Sequence, residues 1–167
     1  SGAEASATTA KLAADASGAS SRPEYGDGST RLKSAETSRR SGSSGDEDAL
    51  RDYVAASELY TAAVNRHAQG VMKQGNLAGA ARAIVAGLGV IPGSREFQKT
   101  LQEILDAAEG GATAAKRSAD VVAGASSRSE YVNATARLGS AADYRRSGRP
   151  GDAEAAVREY GAAEKLL

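Results

Sequence analysis

The chain has no cysteine and no tryptophan, one phenylalanine, one histidine and three prolines in 167 residues. Without cysteine there is no disulfide, no thiolate metal site and no thiol nucleophile, and the redox compartment is left open. A lone imidazole, His67, falls short of the three or four ligands that zinc requires, so no metal and no other cofactor is expected. Aromatic and β-branched residues are too sparse for a well-packed sheet. Charge of one sign is also lacking: 21 basic residues face 21 acidic ones. Nothing in that balance draws the chain to nucleic acid or to an anionic membrane surface. No apolar run approaches the roughly 18 residues of a membrane span. The sequence opens on Ser rather than Met and shows no signal peptide. It reads as an excised or processed piece of a soluble protein, with the cytoplasm the favoured compartment.

Alanine and 19 glycines are abundant instead. A core of Ala with a few Leu, Val and Tyr works only where backbones approach closely, which packed helices achieve. The expected class is therefore all-α, with six or seven helices. Residues 3 to 17 read as a first helix stopped by Gly18, a suitable left-handed cap. Ser21-Arg22-Pro23 reads as the entry to a second, with Pro23 in its first turn. That helix should carry Tyr25, Gly28, Leu32 and Ala35 on one face. Its two glycines, Gly26 and Gly28, each cost about 1 kcal/mol relative to Ala, which makes it the least secure element. Ser41 to Gly45 reads as a loop.

From Asp46 to Lys73 no proline intervenes, and Ala49, Tyr53, Ala56, Tyr60, Ala63, Val64, His67 and Val71 recur at three- and four-residue steps. One long helix follows from that pattern, with Asp46, Glu47 and Asp48 complementing its N-terminal dipole. Gly75-Asn76 ends it, Leu77 to Leu88 forms the next, and Pro92 closes that one. Ser94 caps a further helix with Phe97, Leu101, Ile104, Leu105 and Ala108 on its inner face, which Gly110-Gly111 breaks or bends before Ala114. Two last helices are expected at about 127 to 147 and 152 to 166.

The chain also repeats itself. Gly18-Ala19-Ser20-Ser21-Arg22 returns as Gly124-Ala125-Ser126-Ser127-Arg128, and Glu24-Tyr25 as Glu130-Tyr131. Arg31-Leu32 returns as Arg137-Leu138, Arg39-Arg40-Ser41-Gly42 as Arg145-Arg146-Ser147-Gly148, and Gly45-Asp46 as Gly151-Asp152. The separation stays at 106 throughout. One-residue shifts outside this stretch pair Lys11 and Asp15 with Lys116 and Asp120, and Tyr53 with Tyr160. The organisation that follows is one helical-repeat domain over 1–167. Copy A spans about 10–59, a central hairpin about 60–108, and copy B about 111–167.

In the centre, Met72-Lys73-Gln74-Gly75-Asn76 followed by Ala80, Ile84, Leu88 and Pro92 resembles the tetratricopeptide repeat. The likeness lies in the small-residue turn, the small residue early in the second helix, the bulky residue four later and the terminal proline. Ala68 stands as the small residue of the first helix, while His67 and Val71 replace the usual Leu and Tyr. Gly151-Asp152 with Ala156, Tyr160 and Ala163 resembles half of another repeat. The resemblance implies a right-handed array of antiparallel hairpins that binds protein or peptide on its inner face. There the first helix of the hairpin would present Asn65, Gln69, Met72 and Lys73. Amides suit a peptide backbone, Lys a carboxylate and Met apolar side chains.

Chemistry-bearing constellations are otherwise missing. No Ser sits in a Gly-x-Ser-x-Gly elbow and no phosphate loop occurs. The acidic trio at 46–48 lacks the alternating oxygen ligands of a calcium loop and reads as helix capping. Arg39, Arg40, Arg145, Arg146 and Arg149 cluster at equivalent helix ends. They either complement helix dipoles or form guanidinium forks for carboxylate or phosphate. The expected function is a non-enzymatic protein- or peptide-binding module of a larger bacterial-type protein. The alternatives are a structural or oligomerisation element, or a small-molecule sensor in a cleft holding both Tyr25 and Tyr131.

Overall fold

The computed structural model describes residues 2–42 and 46–167. Its seven α-helices are α1 (Gly2–Ala16), α2 (Pro23–Arg40), α3 (Asp46–Lys73), α4 (Leu77–Val90), α5 (Arg95–Asp120), α6 (Ser129–Ser147) and α7 (Pro150–Leu166). Among the described residues there is no strand, so the all-α expectation holds. Most of the loop expected over Ser41–Gly45, together with Gly45 of the Gly45-Asp46 match, lies outside the described residues.

Local chemistry sets the ends. Gly18 and Gly124 take positive φ at the start of matching 3-10 turns, Ala19–Ser21 and Ala125–Ser127. Pro23 and Pro150 open their helices, where the missing N–H costs nothing. Asn76 accepts from the Gly79 N–H at 2.8 Å, and Ser94 from the Phe97 N–H at 3.3 Å, as capping side chains do. One expectation with two alternatives loses the first. Gly110-Gly111 neither breaks nor ends α5, which runs unbroken through both glycines to Asp120. At Gly111 a Cβ would stand 3.2 Å from the Glu164 carboxylate of α7. The small residue here lies beside a side chain of the neighbouring helix rather than in a turn.

The long helix α3, 28 residues, is the spine of copy A. Its buried stripe is Ala49, Tyr53, Ala56, Tyr60, Ala63, Val64 and Ala68. Helix α2 lies antiparallel to it: Glu24 pairs with Arg66 at 2.8 Å, and Arg31 with Asp52 at 2.9 Å. Helices α1 and α2 both pack on α3 rather than closely on each other, and long side chains bridge them. Tyr25 donates to Asp15 at 2.5 Å, and Arg39 pairs with Glu4. The second half of α5, with α6 and α7, repeats this plan, with α7 as spine. Tyr131 donates to Asp120, Arg137 pairs with Glu159 at 2.9 Å, and Arg145 with Glu109. The duplication read from the sequence is therefore a duplication of contacts.

Helix α4 joins the halves. It carries a single charge, Arg82, and touches α1, α3, α5 and α7. A helix apolar nearly all round belongs in the middle of a bundle. Ile84, Leu88, Phe97, Leu101, Ile104 and Leu105 are among the buried large apolar residues of the core.

Candidate functional site

The residues singled out from the sequence fall in different places. Asn65, Gln69 and Lys73 share one face of α3 at four-residue steps. Gln69 and Lys73 are exposed. Asn65 is committed to a structural contact, accepting from the Thr100 hydroxyl of α5 at 2.9 Å, and Met72 packs against the core. The polar face presented to solvent is thus narrower than the four residues suggest.

The arginines separate more sharply. Arg39 is occupied by Glu4, and Arg146 by Asp143 one turn back. Arg40 is exposed at the end of α2. Arg145 is held between Asp106 and Glu109 of α5 and is only 24 % exposed. The Arg145 guanidinium beside it holds the Asp106 carboxyl below its ordinary range. Arg149 sits at the cap position of α7 in extended backbone, its N–H donating to the Ser147 hydroxyl at 3.2 Å. At a helix N-terminus its guanidinium adds to the partial positive charge of free backbone N–H groups.

Arg145 and Arg149 meet in one cleft. It has a volume of about 390 Å³ and lies between the start of α5, the end of α4 and the α6–α7 turn. Leu88, Leu101 and Leu105 form an apolar floor, and Tyr144, 41 % exposed, stands on the rim with Arg149. Gln98 and Gln102 line one wall. Gln98 donates to the Pro92 carbonyl at 3.2 Å and Gln102 to Asp106 at 3.0 Å, which fixes both amides. An apolar floor with a few convergent polar groups is the usual make-up of a binding cleft. Sequence reading found the two arginines from the duplication. It missed Tyr144, Gln98 and Gln102, because a cleft between elements 40 residues apart leaves no periodic signal.

A larger groove of about 560 Å³ opens beside the α3–α4 turn, between that turn and α7. It is lined by Asn76, Leu77, Ala108, Val157 and Gly161, with Arg158, Glu164 and Lys165 at its edges. Tyr25 and Tyr131 do not share a cleft. Tyr25 stacks edge-on to Tyr60 at 5.2 Å, whereas Tyr131 lines a cavity walled by copy B alone. Each tyrosine belongs to an ion-pair network, Lys11–Asp15–Tyr25 and Lys116–Asp120–Tyr131. In the first network Asp15 and then Lys11 perturb the phenol, the net effect raising Tyr25; in the second, Tyr131 and then Lys116 lower Asp120. Among the described residues no three His, Asp or Glu side chains are grouped so as to hold a metal ion, and no helix is long and apolar enough to cross a membrane. Comparison with protein-family models, with curated proteins and with solved structures finds no match to this chain.

Proposed function

We propose that the chain is a non-enzymatic binding module for protein or peptide, built as a tetratricopeptide-like helical repeat and serving as an interaction or regulatory domain of a larger bacterial-type protein. One observation carries this reading: the cleft in which Arg149 faces an apolar floor of Leu88, Leu101 and Leu105. It suits a peptide segment that places an apolar side chain on the floor and a carboxylate against Arg149. Arg145 is already neutralised by two carboxylates, so it shapes the wall, and Arg149 supplies the charge. A guanidinium at a helix N-terminus is well matched to a carboxylate fork.

The test is a peptide-array screen with the intact chain, followed by titration of the best ligands. Arg149→Glu should weaken binding at least tenfold, and Tyr144→Ala several-fold, with thermal stability unchanged because both side chains are exposed. Ligands indifferent to both substitutions but sensitive to Gln69→Ala or Lys73→Ala would move the site to the exposed face of α3. Ligands indifferent to all four would remove the reading.

A second reading has its own support. Leu50 and Val54, one turn apart on α3, are 53 % and 45 % exposed. Paired exposed aliphatics on one helix face suit helix-to-helix association between chains. Light scattering across a concentration series, with Leu50→Glu/Val54→Glu as the control, decides it.

A further inference from the structure

One face of α3 is open to solvent, and it is divided into two unlike halves. Leu50, Val54, Ser57 and Thr61 recur along it at four- and three-residue steps, the spacing of a seam between paired helices. The first half is raised: Leu50 and Val54 are 53 % and 45 % exposed. The second half is hollow. There Ser57 and Thr61 line a cavity of about 550 Å³ together with Ala5, Ser6 and Thr9 of α1 and Ile91 at the end of α4. Charge is divided in the same way. Arg51 and Glu58 each stand one position beyond a seam residue, on the same edge, and both are exposed. Arg51 pairs with Asp48 at 3.0 Å, and Glu58 has no ion-pair partner among the described residues.

The duplicate shows that a helix can cover this face. On α7, Glu154 and Val157 are the counterparts of Glu47 and Leu50, as Tyr160 is of Tyr53. Helix α4 packs against α7 there: Val157 is 2 % exposed, and Glu154 pairs with Arg82 at 3.2 Å.

We propose that in copy A the occupant is a second copy of this chain, its α3 laid antiparallel on the first about a two-fold axis beside Val54. The face is complementary to itself in that orientation. Residue 50 of one chain falls against residues 57–61 of the other, so each Leu50 enters the cavity beside the opposite Ser57 and Thr61. Arg51 and Glu58 are centred on the link between residues 54 and 55. The axis therefore brings Arg51 of each chain to Glu58 of the other, and edge charges of this kind set the orientation of paired helices. A parallel pair would set leucine on leucine, leave both cavities empty and bring like charges together. The arrangement rests on the association reading of Leu50 and Val54 and is independent of the Arg149 cleft.

The test follows the intact chain by sedimentation velocity across a concentration series, where a monomer–dimer equilibrium is expected. Arg51→Glu and Glu58→Arg each create like-charge contacts at both ends of the interface, and each should weaken the dimer by about tenfold or more. Mixed in equal amounts, the two variants carry opposite charges at every contact. A heterodimer of nearly native affinity should then form, identified by its mass in native mass spectrometry. Both substituted side chains are exposed, so unchanged melting shows that the fold survives. A chain that stays monomeric overturns the proposal, and the association reading falls with it. A dimer that Leu50→Glu/Val54→Glu abolishes but neither charge reversal weakens overturns the antiparallel arrangement alone. So does a dimer weakened by each reversal that mixing does not restore.

Discussion

Copies A and B solve the same packing problem with different residues at one point. In copy A, Gly28 of α2 faces the fully buried ring of Tyr60, and a Cβ at Gly28 would stand 3.2 Å from that ring. In copy B the same two positions are Ala134 and Leu167. In copy A the spine brings a large flat ring where α2 gives up its side chain; Ala134, the position equivalent to Gly28, keeps a methyl group and is fully buried. The internal ion pairs behave differently. They are duplicated almost unchanged, because their geometry depends on the approach of helices rather than on the filling of a particular gap. Ala-rich interfaces fix where the backbones lie, and individual large residues then decide how much each interface contributes.

The largest way to break the symmetry is at Tyr60. Tyr60→Ala empties a fully buried aromatic site and should destabilise the protein by about 3–5 kcal/mol, whereas Leu167→Ala at the partly exposed counterpart should cost about 1 kcal/mol or less. Urea unfolding of both variants checks the ratio. Comparable losses would mean that Leu167 is as tightly packed in copy B as Tyr60 is in copy A.

Second comes the buried carboxylate of copy A. Asp52 is 7 % exposed and accepts from Ser34 at 2.5 Å and Arg31 at 2.9 Å. The Ser34 hydroxyl and, after the opposing effect of burial, Arg31 hold its carboxyl below the ordinary range. Its counterpart Glu159 has Arg137 as partner and more exposure to water. Asp52→Ala should cost about 1–3 kcal/mol, as for a buried charged hydrogen-bond acceptor, and Glu159→Ala about 0.2–1 kcal/mol, as for an exposed pair. Denaturant midpoints measured at neutral pH separate the two.

A smaller effect sharpens the Gly28–Tyr60 pairing. Gly28→Ala gains about 1 kcal/mol of helix propensity and loses a similar amount through crowding of the ring, so alone it should be near neutral. With Tyr60→Leu in place, which reproduces the copy B combination, the same substitution should stabilise by about 1 kcal/mol. A thermodynamic cycle with no coupling between the two sites would show that Gly28 has some other reason to be small.

Much of this architecture was legible beforehand, and what was hidden has a common cause. The extent of α3, the cap at Ser94, the stop at Gly75-Asn76 and the inner stripe Phe97–Ala108 all follow from interactions within a few residues, which periodicity and caps record. The duplicated residues were legible too, since Lys11, Asp15 and Arg39 are matched by Lys116, Asp120 and Arg145, but the contacts they make to neighbouring helices were not. Three further things were hidden. Gly110-Gly111 stays helical inside α5, with the Glu164 side chain of α7 beside Gly111. Asn65 turns inward to Thr100, and only the position of α5 decides that. The cleft at Arg149 exists because of which helices lie beside which, and the spacing of residues along one stretch of chain does not encode this.

The smallest expected effect is one of pH, and it belongs to copy A alone, because His67 is the only histidine and copy B has no counterpart. Burial, and after it the Arg22 cation, hold the His67 imidazole below its ordinary value. The folded state therefore favours the neutral ring, while the unfolded chain takes up a proton near pH 6.5. Protons bound preferentially by the unfolded state lower stability as the pH falls. The contribution is complete above about pH 6.5 and is lost as the pH drops through that value, levelling off below the folded-state pKa. Asp15, Asp52, Asp106 and Asp120 are all held below the ordinary carboxylate range. Between pH 7.5 and 5.5 the slope should thus come chiefly from this ring, and His67→Gln should flatten it in a series of urea melts. Equal slopes in the two proteins would place the ring in water in both states, and His67 would then lie more loosely over Gly18 than the 3.7 Å from its Nε2 to a Cβ placed at Gly18 implies.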